Sequence, residues 1–177
     1  MMKFIETPRL FMREIVVADA PAMFELDSDP EVNRYLGNRP VTSLEQVYGI
    51  IDFIRAQYAE NGIGRWAVIL KETNEFIGWS GLKLDKDKNG YGQFYDLGYR
   101  FIPKFWGKGF ATESAKAFVA YGFNEMNIDK ICGHTMIGNV NSGKVLQKAG
   151  LRFTNTFEED GETCNWYEMD RKTGAKT

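Results

Sequence analysis

The chain has 177 residues, enough to bury a core without disulfide staples. Hydrophobic residues make up 44% and charged residues 26%, a globular balance that argues against disorder. Lys and Arg number 22 against 24 Asp and Glu, and a formal net charge of -2 gives no electrostatic reason to expect nucleic acid or an anionic membrane as partner. Cys132 and Cys164 permit at most one bridge, and the single His134 disfavours a multi-histidine metal site. Charge comes too early in Met1 to Arg9 for a signal peptide, and no apolar run approaches membrane length. The expectation is one soluble cytoplasmic domain over 1–177, with no metal.

The first strand reads Arg9-Leu10-Phe11-Met12-Arg13-Glu14, and Asp19 then caps a short helix with Pro21 in its first turn. Asp29-Pro30 opens a second short helix through Tyr35. The clearest helix runs from Ser43 to about Glu60. Ser43 and Gln46 form a capping box, Leu44, Val47, Ile51, Ile54 and Tyr58 make the apolar stripe, and Asn61-Gly62 is the stop signal. Strands at Trp66 to Lys71, Phe76 to Leu84 and Phe94 to Ile102, joined by polar turns at 71–75 and 85–92, read as an antiparallel meander. After Pro103 a glycine-bearing loop enters a helix from Thr112 to about Glu125, with Ala115, Phe118, Val119, Phe123 and Met126 on its buried face. A strand spans Lys130 to Met136, Asn141 or Ser142 caps a helix closed by Gly150, and two last strands turn at Asp160-Gly161. The order describes an α+β fold around one sheet rather than regular βαβ repetition.

The segment richest in chemistry is Phe105-Trp106-Gly107-Lys108-Gly109-Phe110-Ala111. A helix N-terminus offers unpaired N–H groups and partial positive charge, which suit a phosphate. Gly107 and Gly109 remove side chains where a pyrophosphate would meet backbone, and Lys108 adds charge at the rim; the plainer reading is turn geometry. Lys108 is followed by Gly109, so the Mg²⁺-binding hydroxyl of a P-loop is missing, and Thr112 stands where a dinucleotide motif needs its third glycine. Neither ATP nor NAD is expected.

Trp106-Gly107-Lys108-Gly109-Phe110-Ala111-Thr112-Glu113 resembles the coenzyme A pyrophosphate loop of the GNAT N-acetyltransferase superfamily. The Trp, and the Ala-Thr-Glu after the loop, are similar to the RimJ/RimL-type branch, which acetylates protein N-termini and assorted small amines. Thr7-Pro8-Arg9-Leu10-Phe11-Met12-Arg13 resembles that branch's opening strand, and Asn139-Val140-Asn141-Ser142 with Val145-Leu146-Gln147-Lys148-Ala149-Gly150-Leu151 its N-x-x-S-x-x-V-L-x-K-x-G-F segment. The resemblance implies a mixed, mostly antiparallel sheet flanked by helices and splayed between the third meander strand and the strand beginning at Lys130. Acetyl-CoA would lie in that wedge, its pantetheine paired with backbone around Tyr99 and Phe101 and reached by Asn139, its pyrophosphate on the amides of Gly107, Lys108, Gly109, Phe110, Ala111 and Thr112. The tyrosine many members use as general acid falls at Leu146, and Trp106 offers no polar side chain of the general motif.

Acetyl transfer to an amine needs a neutral amine, donors for the oxyanion and a proton for the departing thiolate; direct attack needs no enzyme nucleophile. The candidate base is Asp96, just before Gly98-Tyr99, with Glu159 and Glu162 of the last hairpin as runners-up. The plainer reading of Asp96 is a surface ion pair. The thiolate-side candidate is Ser142, which fits a helix N-cap equally well. His134 reads as a structural histidine, the cysteines as small buried side chains, and Trp66, Trp79, Trp106 and Trp166 as core or pocket walls, with Trp66 and Tyr35 candidates to line an acceptor channel. The expectation is an acetyl-CoA-dependent N-acetyltransferase acting on a peptide N-terminal α-amine. The alternatives are a small-molecule amine (amino acid, polyamine or antibiotic) as acceptor, or a non-catalytic acyl-CoA sensor.

Overall fold

The computed structural model describes residues 3–174. The elements in chain order are Phe4–Glu6 (β1), Leu10–Glu14 (β2), Ala20–Ser28 (α1), Pro30–Asn33 (α2), Leu44–Asn61 (α3), Arg65–Leu70 (β3), Glu75–Lys88 (β4) and Tyr91–Phe101 (β5). They continue with Phe110–Asn124 (α4), Lys130–Met136 (β6), Val140–Lys148 (α5), Arg152–Glu159 (β7), Glu162–Asp170 (β8) and Arg171–Gly174 (α6). The strands form one sheet in the order β1-β2-β3-β4-β5-β6-β8-β7. All neighbours are antiparallel except β5 and β6, which run parallel and pair only at Tyr95↔Ile131 and Asp96↔Cys132. Beyond that rung β5 runs on to Phe101 and β6 to Met136 without facing each other, and the sheet splits into a wedge.

Strand alternation decides which layer covers which face. In β3, Trp66, Val68 and Leu70 pack in the cluster of Phe118, Val119 and Phe123 from α4 and Leu146 from α5. Ala67 and Ile69 turn the other way, onto Ala20 and Met23 of α1 and Val47, Ile51 and Ile54 of α3. Of the two readings of Trp66 the structure selects the core: it is fully buried, with Phe118 and Tyr121 at 5.5 Å, and does not line a channel. Among the described residues no helix is long and apolar enough to cross a membrane.

Three local readings change. The polar stretch 85–92 is not a loop, because pairing continues through Asp85↔Phe94 and Lys86↔Gln93. Asp87 (φ 57°) interrupts the register, and Asn89 (φ 47°) and Gly90 (φ 80°) make the turn with the two positive-φ positions of a type I′ hairpin. Ser43 accepts from Gln46 N as expected, but the Gln46 side chain reaches back to Thr42 N (2.7 Å) instead of to Ser43. A further edge strand, β1, pairs with β2 through Phe4↔Arg13 to Glu6↔Phe11.

Gly78 sets how closely β4 and β5 pack. A Cβ there would lie 2.2 Å from Arg100 O and 2.8 Å from Phe101 Cα. Gly78→Ala is expected to push this ladder apart at a cost at or above the roughly 1–3 kcal/mol usual for overpacking. Urea unfolding measures it, and a midpoint equal to the parent's would contradict the packing.

Candidate active site

Ile102 N donates to Ile77 O of β4 at 3.0 Å. Hydrogen-bonding direction alternates along an antiparallel strand, so Tyr99 and Phe101 turn their backbone groups toward the wedge. One of these is already taken: Trp106 Nε1 donates to Phe101 O at 2.7 Å and pins the loop to the end of β5. The expectation of free backbone at Phe101 therefore narrows to its N–H.

The loop itself is shaped by Gly107 (φ 73°) and Gly109 (φ 82°), conformations that glycine adopts without steric cost. The first bond of α4 runs from Glu113 N to Gly109 O, which leaves the N–H groups of Phe110, Ala111 and Thr112 without intrahelical acceptors at the helix start. The Lys108 side chain reaches over the Phe105 ring, 5.8 Å from its centroid. The opening segment of the chain braces this loop. Arg9 Nη1 donates to Lys108 O (2.8 Å), Arg9 Nε pairs with Glu113 (2.7 Å), Thr7 Oγ1 donates to Glu113 (2.7 Å), and the Arg9 guanidinium lies 4.4 Å over Phe110. Sequence reasoning noticed Thr7-Pro8-Arg9 but missed this role, because the partner lies about a hundred residues away.

Across the wedge, α5 is capped by Asn139, whose side-chain oxygen accepts from Ser142 N at 3.3 Å. This corrects the assignment of Asn141 or Ser142 as the cap: Asn139 alone stands just outside the helix, at φ -86° and ψ 66°. The Ser142 hydroxyl is thereby released from capping. It lies 3.1 Å from Tyr99 Oη, which also donates to Ser142 O at 2.6 Å. A phenol has one proton and a carbonyl can only accept, so Ser142 Oγ–H is the donor to Tyr99 Oη. Burial pushes the Tyr99 phenol up and keeps it protonated at neutral pH.

At the apex of the wedge, on the face that carries α1 and α3, Arg65, Gly81 and Gly98 stand in one row across β3, β4 and β5. The Arg65 guanidinium lies over Gly98, where a Cβ would come within 2.6 Å of Arg65 Nη2. It donates to Gly81 O (2.5 Å), Asp96 O (2.7 Å) and Asp96 Oδ2 (2.5 Å). The other oxygen of Asp96 meets His134 Nδ1 at 3.1 Å. Burial would push the Asp96 carboxyl up, but Arg65 and His134 outweigh it and hold it well below the usual carboxylate range.

Asp96 is 5% exposed, with both oxygens engaged. A carboxylate so placed is a poor proton acceptor, and the geometry does not suit the base role expected from sequence. His134 is brought into the site instead, with Nε2 at 3.4 Å from Glu159, whose other oxygen pairs with Lys88 at 2.5 Å. Glu162 is exposed opposite Glu159. Tyr35 approaches the β6–α5 turn, 3.3 Å from where a Cβ on Gly138 would sit.

Residues 9–152 match the family described as "Acetyltransferase (GNAT) domain". The chain belongs to the GNAT family. It is similar to an uncharacterized N-acetyltransferase, p20, of Bacillus licheniformis, with 35% identity over 156 residues and 85% of each chain covered. The FsC-acetyl coenzyme A-N(2)-transacetylase of Aspergillus fumigatus is 32% identical over 138 residues, 75% of this chain and 58% of that one. A GNAT-family acetyltransferase from Bacillus anthracis superposes with a TM-score of 0.80 at 26% identity, covering 96% and 99% of the two chains. Two structures containing CoA share the fold. RimL, a ribosomal L7/L12 α-N-protein acetyltransferase, has a TM-score of 0.76 at 16% identity, with 95% and 98% covered. Spermidine N-acetyltransferase of Vibrio cholerae, bound to CoA and spermine, has 0.75 at 17%, with 94% and 98% covered. This GNAT protein is an N-acetyltransferase.

The Arg65–Asp96 pair yields a stability test. Asp96→Ala strands a buried guanidinium and is expected to cost about 3–5 kcal/mol at neutral pH. The folded carboxyl is depressed, so its contribution is full above the unfolded value near pH 4 and is lost as pH falls toward the folded one. The stability gap between parent and variant should therefore hold from about pH 8 to 5 and narrow below about pH 4. Denaturant unfolding across this range checks both points; a gap that widens in acid contradicts them.

Proposed function

We propose that this GNAT protein transfers the acetyl group of acetyl-CoA to a primary amine by direct attack, and that its preferred acceptor is a protein or peptide N-terminal α-amine, as in the RimJ/RimL-type branch. The observation that carries this reading is the split sheet, whose unpaired β5 edge leads into a braced glycine loop at the start of α4. In this reading the pantetheine pairs with Tyr99 and with the Phe101 N–H, and the pyrophosphate sits on the amides from Gly107 through Lys108, Gly109, Phe110 and Ala111 to Thr112. Asn139, with its oxygen committed to the cap, offers its NH₂ to the pantetheine. Ser142 Oγ–H turns from Tyr99 Oη to give its proton to the departing thiolate. Composition supports a single cytoplasmic domain over 1–177.

Two arguments favour an α-amine over a polyamine or a lysine side chain. The charged groups on the acceptor face are matched: Arg65 with Asp96, Arg100 with Asp27, Lys83 with Asp85 and Lys88 with Glu159. These four carboxylates are each held by a cation of the protein rather than open to a polycation. An α-amine with a pKa of roughly 7.7–8.0 is also far easier to deprotonate than one near 10.4, by about 3.4 kcal/mol. A small-molecule amine is the second reading, favoured by the relative named as an N(2)-transacetylase.

Acetyl-CoA is expected to raise the unfolding temperature by mass action, and Gly109→Val to weaken its binding at least tenfold by placing a branched side chain in the loop. Calorimetry measures both, and unchanged affinity in the variant would remove the loop from the site. Ser142→Ala is expected to lower kcat by tenfold or more with little change in acetyl-CoA affinity. Stopped assays of CoA release would contradict this role if kcat stayed at the parent value. At pH 7, peptide N-termini should exceed spermidine and lysine side chains in kcat/KM; a preference for spermidine would overturn the acceptor assignment.

A further inference from the structure

We propose that His134 is the general base that takes the proton from the acceptor ammonium, and that Asp96 is its positioning residue; this rests on the acetyl-transfer reading above. Four observations carry it. His134 lies two residues past Cys132, the last residue of β6 paired with β5, so it stands at the lip of the split. Its ring is on the α1 and α3 face, while Tyr99 and Ser142 stand on the α4 and α5 face. A base and an acid thus flank the split from opposite sides, as direct attack on a thioester requires: the amine enters from one side and the thiolate is protonated from the other.

The second observation is the fixed tautomer. Asp96 is ionised and can only accept, so the neutral His134 ring carries its proton on Nδ1 and leaves the Nε2 lone pair available. Third, Nε2 is not firmly engaged. Its neighbour Glu159 is 3.4 Å away, longer than an ordinary hydrogen bond, and that carboxylate is already tied to Lys88. Fourth, the ring cannot swing. It stacks on Trp166 at 5.8 Å and 17°, with Phe157 edge-on at 5.8 Å and Tyr91 stacked on Trp166 in turn at 5.4 Å and 16°. The His134 side chain is 18% exposed, enough to return a proton to solvent.

The charged and titratable groups around the ring are few. Asp96 of β5 and Glu159 of β7 face it, with Arg65 of β3 and Lys83, Asp85 and Lys88 of β4 behind them. Glu168 of β8 is bonded to Trp166 Nε1. Cys132, on the same face of β6, stays a thiol because burial pushes it up to about 12, and burial raises Cys164 as well.

In the proposed step His134 Nε2 takes one proton from the ammonium, and the freed lone pair attacks the thioester carbon. The C–N bond forms and the C–S bond breaks, with the electron pair leaving on sulfur. Ser142 protonates the thiolate and is reprotonated by the second proton lost from nitrogen. His134 then gives its proton to solvent, for a net release of one proton.

His134 is the protein's single histidine, so histidine-selective ¹⁵N labelling reports on this ring alone. The intact protein should show the Nδ1-protonated tautomer, and its kcat/KM for a peptide α-amine should fall along an acid limb. His134→Gln should fold, bind acetyl-CoA within twofold of the parent, lose the acid limb and lower kcat by about 100-fold or more. Asp96→Asn should lower kcat and lose the fixed tautomer while still binding acetyl-CoA; if it fails to fold, the tautomer of the parent carries the test. An Nε2-protonated ring, a His134→Gln protein with its acid limb intact, or loss of that limb in Glu159→Gln instead would each overturn the proposal. A parent that releases no CoA with any amine removes the acetyl-transfer reading and the base with it. The wrong tautomer beside normal turnover removes the base alone.

Discussion

Everything at the centre of this enzyme is arranged around one buried ion pair, Arg65 with Asp96. The guanidinium crosses β4 to reach β5, which is possible because Gly98 leaves the space beneath it empty. A pair taken this far from water gains little net stability, since desolvation offsets most of the Coulomb attraction. What it does impose is geometry. Arg65 bonds both the backbone and the carboxylate of Asp96, fixing the last β5 residue that pairs with β6 before the two strands part. The free oxygen of that carboxylate then reaches over to β6 and sets His134.

The wedge beyond this point is held open and bounded by contacts of a different kind. Trp106 ties the loop to the end of β5, and Arg9 with Glu113 ties it to the first turn of the chain. Tyr99 and Ser142 join β5 to α5 across the gap. On the opposite face Trp79 lies between two guanidiniums, 5.4 Å from Arg65 and 5.0 Å from Arg100, and Arg100 fastens the end of α1 through Asp27 at 2.6 Å. The Tyr99–Ser142 pair therefore lies on one face of the sheet and the Arg65 and Arg100 charges on the other, with the split between them.

Much of this was legible in the sequence where local chemistry decides. The α3 cap and its Gly62 stop, the strand at Lys130 to Met136 and the Asp160-Gly161 turn stand where periodicity and turn residues put them. Charged residues hid the ends of β4 and β5, because a hairpin with little apolar alternation looks like a loop. Asn139, Asn141 and Ser142 can each cap a helix, and only backbone angles select Asn139. The site was harder to read for the same physical reason throughout. Arg65 sits at the first position of its strand, Asp96 and His134 are isolated polar residues in two others, and nothing local says that a parallel rung brings them together. From sequence Asp96 therefore reads as a base and His134 as a structural residue, and only the fold shows that both Asp96 oxygens are engaged, one of them by His134.

The claim on which the account stands is that the split between β5 and β6 receives acetyl-CoA. Amide hydrogen exchange with and without acetyl-CoA tests it without any need to know the acceptor. The account predicts new protection in the segments holding Tyr99, Phe101 and Gly107 to Thr112 and at the start of α5, with β1, β2 and the outer β7 strand unchanged. Protection confined to other parts of the chain, or none under saturating acetyl-CoA, would contradict it.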